Sequence, residues 1–232
     1  MRDHAAMAVV RSAGPRPFLV RDCALIALAT GRKANHLPEF RRDLAEVDAS
    51  SIYHHFWGGL LQPRFEEREY NNDFAAWVRH GIHDGVLAER LAALDPAPFT
   101  DMEALRQELL EQVDARLDEA EYLSWTRATQ QFEFLSSQIV VLNTGRELHA
   151  PRDLLRAVPE MSTGSIFYHF IDARRRTADG SDDFSGWLGA LGDRCASLCA
   201  ALQGVDPYFG SLTDLRARLV RVLTEHMGDP PG

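Results

Sequence analysis

The sequence predicts a mainly α-helical protein of two tandem homologous helical units packed as an intrachain pseudo-dimer, with a short β-element opening each unit. Three observations carry this. The chain aligns with itself, the two halves share helix-capping signals, and 45% of its 232 residues are hydrophobic, enough for packed cores.

Residues 18–56 align without a gap on residues 132–170, at a constant offset of 114. The identities are Phe18/Phe132, Leu28/Leu142, Thr30-Gly31-Arg32/Thr144-Gly145-Arg146, Arg42/Arg156, Glu46/Glu160, Ser51-Ile52/Ser165-Ile166 and His55-Phe56/His169-Phe170. That makes 11 in 39 positions, against roughly two or three expected by chance from average composition. At an offset of 110, Asp73-Phe74 and Trp77 match Asp183-Phe184 and Trp187, and Leu105-Arg106 matches Leu215-Arg216. The organisation read from this is a flexible N-terminal arm at 1–17, repeat unit 1 at 18–117, a linker at 118–131, repeat unit 2 at 132–227 and a tail at 228–232.

The opening segments pull in two directions. Ile139-Val140-Val141-Leu142 has strand propensity and runs into a Thr-Gly turn, whereas Ala24 to Ala29 has helix propensity; aligned segments should share one structure. Pro38 and Pro151 suit the first turn of short helices carrying Phe40 and Leu44, or Leu154 and Val158. Ser51 and Ser165 are placed at helix N-termini, so that Ile52, His55 and Phe56, or Ile166, His169 and Phe170, share an apolar face. Another helix pair is expected to begin at Asn72-Asp73 and at Asp182-Asp183, whose short polar side chains suit N-caps. Thr100 with Glu103 reads as a capping box opening a helix through Leu117, and its copy starts near Ser211 and stops at Gly228.

Composition narrows the function. A net charge of −9 argues against nucleic acid or an anionic membrane as the main partner. The odd count of three cysteines fits a reducing cytoplasm, and no apolar run approaches the roughly 20 residues that cross a bilayer. P-loop, Gly-x-Gly-x-x-Gly, Gly-x-Ser-x-Gly, Cys-x-x-Cys, His-Glu-x-x-His and Glu-x-x-His patterns are missing from the sequence.

The candidate chemistry lies in what the halves share. His55 and His169 sit on apolar stripes, where a histidine is either a satisfied core residue or, if the two meet, a metal ligand or acid-base group. Arg32 and Arg146 follow a glycine turn, an arrangement suited to phosphate or carboxylate unless each pairs with an acid of the chain. His80-Gly81-Ile82-His83-Asp84 resembles a metal-ligand run but reads mainly as a helix end.

Thr30 to Ala34, Ser50 to His54 or His55, Asn72 to Val78, Leu87 to Leu91 and Leu105-Arg106 together resemble an uncharacterised prokaryotic family known as domain of unknown function 5752. Second-half counterparts are Ser165 to His169, Ala173 to Arg176, Asp183 to Trp187 and Asp206-Pro207. The resemblance spans about 17 to 227 and implies no activity. His54-His55 departs from its aromatic-His ending, and the internal alignment selects His55; His80 and His83 lie outside the pattern.

The expectation is a non-catalytic cytoplasmic module that binds a small anionic or polar ligand, or a protein partner, between the repeats. Its candidate ligand-binding residues are Arg32, Arg146, Ser51, Ser165, His55 and His169. One alternative is a metal-dependent, hydrolase-like enzyme in which His54, His55 and His169 hold a divalent metal beside acids such as Asp172. Another is a purely structural interaction scaffold. A homodimer is compatible with each.

Overall fold

A computed structural model describes residues 16–62, 69–99 and 101–228. Its organising element is a ribbon of two long antiparallel strands, β1 (Phe18–His36, 19 residues) and β2 (Arg127–Leu148, 22 residues). This overturns the mainly α expectation with short β-elements. Ala24 to Ala29 is strand despite its helix-favouring alanines and leucines, because its backbone pairs with the strand-forming stretch of β2: Ala24 faces Val140, Leu25 faces Ile139 and Ile26 faces Gln138. Ladder pairing outweighs a propensity difference of a few tenths of a kcal/mol per residue.

The register is its own image under the shift of 114: Phe18 faces Leu148 while Ala34 faces Phe132, and Leu19 faces Glu147 while Lys33 faces Glu133. Leu25 and Ile139, themselves 114 apart, face each other at the centre. The predicted Thr-Gly turn does not end either strand. Thr30-Gly31-Arg32 and Thr144-Gly145-Arg146 are bulges inside them, where extra residues on one strand oppose fewer on the other. Gly31 and Gly145 adopt φ of +80° and +74°, the left-handed region these bulges require.

Helices cover the inner face of the ribbon. The first half supplies α1 (Leu37–Glu46), α2 (Ala49–Trp57), α3 (Asp73–Trp77), α4 (Gly85–Ala92) and α5 (Met102–Glu119). The second supplies α6 (Asp153–Glu160), then α7 (Thr163–Ile166), which runs through a π-helical stretch at Phe167–Asp172 into α8 (Ala173–Arg176). It ends with α9 (Asp183–Gly189), α10 (Ala196–Gln203) and α11 (Leu212–Met227).

Capping sets their starts. Asn72 accepts from the Ala75 N–H and Asp182 from the Ser185 N–H, and Ser211 with Asp214 forms a full capping box. Ser51 and Ser165 are not caps. Asp48 and Ser162 are, which puts both serines at the third helical position, buried. The N-cap of α5 is Asp101, and Thr100 lies outside the described residues. Pro38 occupies the first turn of α1, whereas Pro151 precedes α6.

The halves are not helical units packed side by side, because each lends its strand to the other's core. Phe132 and Phe134 from the start of β2 pack among first-half rings: Phe132 lies 5.3 Å from Phe40, 5.6 Å from Phe74 and 5.5 Å from Trp77. Phe18, from the start of β1, lies 5.3 Å from Phe184 and 5.5 Å from Trp187. The two indoles add matching bonds: Trp77 Nε1 donates to the Gln130 carbonyl and Trp187 Nε1 to that of Arg16. Arg106 and Arg216 tie the long helices back, donating to the carbonyls of Leu44 and Met161.

One glycine has a different duty from those in the bulges. A Cβ on Gly164 would lie 2.5 Å from the Cys23 carbonyl oxygen and closer still to the Asp22 carboxylate, so only glycine lets α7 seat against β1. Gly31 and Gly145 have open space around them and only their φ at stake. Gly164→Ala should therefore cost about 2–3 kcal/mol by overpacking, whereas Gly31→Ala should cost about 1 kcal/mol through the left-handed backbone. Urea unfolding checks the order; equal costs would contradict the assignment of Gly164 to close packing.

Candidate functional site

The shared histidines are built into the ribbon. His55, in the last turns of α2, has Nδ1 3.0 Å from Asp73 Oδ2, and its Nε2 accepts from the backbone N–H of Leu135 at 3.0 Å. His169 repeats this, with Nδ1 2.8 Å from Asp183 Oδ2 and Nε2 accepting from the Arg21 N–H at 2.8 Å. An amide donor at Nε2 fixes the proton on Nδ1, from which it donates to the carboxylate. Each ring therefore bridges a helix N-terminal acid of its own half and a strand of the other half. Phe132 and Phe74 flank His55 at 4.8 and 5.0 Å, and Phe18 and Phe184 flank His169 at 4.7 and 5.7 Å.

The two histidines do not meet. Leu135 faces Ala29, eight residues along β1 from Arg21; at about 3.3 Å per residue the amides they hold are roughly 26 Å apart. No single ion or substrate atom touches both. His54, His55 and Asp73 do bring three ligand-type atoms within 4.8 Å of one another. A metal there would have to displace the proton that His55 shares with Asp73, because Nε2 is already committed to Leu135.

Arg32 and Arg146 close locally. Arg32 Nη1 donates to Glu46 at 2.7 Å and Asp43 at 3.3 Å, and Arg146 Nη1 donates to Glu160 at 2.7 Å. The threonines hold the bulges across the ribbon, Thr30 Oγ1 donating to the Phe134 carbonyl and Thr144 Oγ1 to that of Val20, both at 2.6 Å. In the His80 to Asp84 run, His83 has φ of 64°, exposed His80 pairs with Glu69, and Asp84 caps α4 while accepting from Arg116. Those side chains serve a helix junction.

Asp172 is buried where the halves touch, and its partners come from both. It accepts from Tyr53 Oη at 3.2 Å, Arg175 Nε at 2.5 Å and Arg176 Nε at 2.9 Å. Arg176 continues to Asp183 at 2.9 Å and so joins the His169 clamp. The guanidinium groups of Arg174, Arg175 and Arg176 stand over Phe170, Tyr53 and Tyr168. Burial, and then Asp172, push the Tyr53 phenol well above its ordinary range. The arginine triplet thus belongs to the seam between the halves, although in sequence it reads as a solvated helix end.

A cleft of about 400 Å³ opens beside this seam. It is lined by the middle of β1 (Asp22, Cys23, Ala24, Leu25 and Ala27), by Gly58, Leu61 and Gln62 after α2, and by Ser162, Thr163 and Gly164 at the start of α7. Among the described lining residues Asp22 is the one charged side chain, with Oδ1 accepting from the Cys23 N–H and from Ser162 Oγ, both at 2.8 Å. Cys23 Sγ donates to the Gly164 carbonyl at 3.3 Å. Burial, with the nearby Asp172 and Asp22 charges, pushes its thiol up to about 12. Sequence reasoning passed over these residues: Asp22 aligns with Ser136 and Gly164 with Ser50, so comparing the halves hides them. Asp73 and Asp183 were within its reach, since they match at an offset of 110 and a buried histidine needs a partner.

The clamps predict additive energetics. His55→Ala or His169→Ala should each cost about 2–4 kcal/mol, from a stranded strand amide and a cavity among the rings. At such a separation the double variant should lose the sum to within about 0.5 kcal/mol. Urea unfolding of the four proteins checks this, and strong coupling would point to one shared site instead.

Comparison with curated proteins returns no significant match. Among solved structures, OrfY from Thermoproteus tenax is similar over 91% of this chain and 95% of its own, at 27% identity and a TM-score of 0.78. No helix among the described residues is long and apolar enough to cross a membrane. Residues 15–224 match the model of a family of unknown function, DUF5752, and the chain belongs to that family.

Proposed function

We propose that the protein is a non-catalytic binding module whose site is the cleft between the halves at Asp22, Gln62 and Ser162–Gly164. The observation that carries this is the cleft itself, of small-molecule size and lined from both halves and from β1. Its polar groups are a carboxylate, a glutamine amide and the hydroxyls of Ser162 and Thr163, set beside apolar Leu25 and Leu61. The carboxylate disfavours an anion, as does the net charge of −9. The ligand class is therefore a small polar molecule, neutral or cationic, with hydroxyl or amine donors for Asp22.

Catalysis has no ready machinery among the described residues of this cleft. Its thiol is protonated across the neutral range and bonded to a carbonyl, and its carboxylate stands without a second acid or base among the described lining residues. The paired histidines, the paired bulges and the matched register support reading the chain as one unit written twice, with Asp22 and Gly164 as differences that make one side of the ribbon a site.

Thermal-shift measurements against a panel of polyols, amines and inorganic phosphate test the reading. A polyol or amine should raise the melting temperature, and Ala27→Trp, which fills the cleft, should abolish the shift, as should Asp22→Asn. The shift should survive Arg32→Gln/Arg146→Gln. Stabilisation by phosphate alone, lost in the double arginine variant and kept in Ala27→Trp, would contradict it.

A further inference from the structure

The outer face of the ribbon is apolar and uncovered at its centre. Partners across an antiparallel pair point to the same face, so between the two bulges the even-numbered residues from Ala24 to Leu28 and from Ser136 to Leu142 share the outer side, Ile26 beside Gln138 and Leu28 beside Ser136. There Ile26, Leu28, Val140 and Leu142 are 47%, 45%, 36% and 49% exposed, with Ala24 among them. No charged residue lies between Ala24 and Ala29 or between Gln138 and Leu142. Side chains of this size at such exposure form a patch on the order of 400 Å², the size of the largest apolar patch on a typical monomer, which is often functional.

We propose that this strip is the interface of a homodimer, two copies stacking ribbon on ribbon by their outer faces. Self-similarity points to a second copy. Ile26 and Leu28 on β1 stand where Val140 and Leu142 stand on β2, 114 residues on, so the strip presents the same aliphatic pair from either strand. A two-fold interface brings one patch onto itself, and a strip that presents the same pair from either strand meets its own copy with like aliphatic side chains along its length. Aliphatic side chains on two stacked ribbon faces also fit the usual sheet-on-sheet spacing of about 10 Å. Doubled and widened by the ribbon flanks, the buried area reaches roughly 1,000 Å², the lower end for a specific interface.

Sedimentation velocity on the full chain tests this, from low micromolar to several hundred micromolar. The average mass should rise with concentration from 26.0 kDa towards twice that value. Ile26→Lys/Val140→Lys should remain monomeric throughout with unchanged far-UV circular dichroism. Ile26→Thr/Val140→Thr, which keeps strand propensity, should weaken association at least tenfold. A wild-type chain that stays monomeric at the highest concentration overturns the proposal, as does a folded lysine or threonine variant that associates like the wild type.

Discussion

A two-stranded ribbon satisfies its backbone only along the edge its strands share, and its outer amides and both faces remain to be dealt with. Pairing of Phe18–His36 with Arg127–Leu148 is therefore the constraint that the other contacts of this protein answer. Helices from the two halves cover the inner face. His55 and His169 each plug an outward-facing amide, at Leu135 and Arg21, and Asp22 takes the Cys23 amide. Because each histidine reaches the strand of the opposite half, and Phe132, Phe134 and Phe18 are inserted the same way, the ribbon is both scaffold and clasp.

Burial of the histidines follows from that duty. An imidazole accepts at one nitrogen and donates at the other, and here the acceptor meets a strand amide while the donor meets a carboxylate at a helix start. Among side chains, a neutral imidazole is suited to span amide and acid while its ring stacks into an aromatic core. Holding strands at opposite ends of the ribbon keeps the two rings apart, and that separation leaves the space near the centre to Asp22, Gly164 and the cleft.

The residues that matter for the fold were legible in the sequence more fully than their geometry. Phe18 and Phe132, Thr30 and Thr144, the pairs Asn72-Asp73 and Asp182-Asp183, and the helix start near Ser211 all stand out from spacing and type, and each makes a specific contact. Strand exchange did not stand out, because nothing in Ala24 to Ala29 says that its partner lies more than a hundred residues away, and local propensity there favours helix. The bulges were concealed similarly: a Thr-Gly pair signals a turn unless long-range pairing runs through it. Asp22 and Gly164 escaped for the opposite reason, since a search for what the halves share passes over the positions where they differ. The arginine triplet looked solvated because its acceptors, Asp172 and Asp183, and the Tyr53 ring come together only when the halves do.

If the exchanged strands hold the fold together, neither half has a complete core. Residues 1–124 lack Phe132 and Phe134, whose loss leaves cavities worth about 3–5 kcal/mol apiece, and residues 125–232 lack Phe18 and the strand that His169 holds. The most direct measurement is to produce these two pieces separately and follow circular dichroism and thermal unfolding of each alone and of an equimolar mixture. The account predicts no cooperative transition from either piece as a monomer and recovery of one on mixing. A single piece that folds cooperatively as a monomer would contradict it.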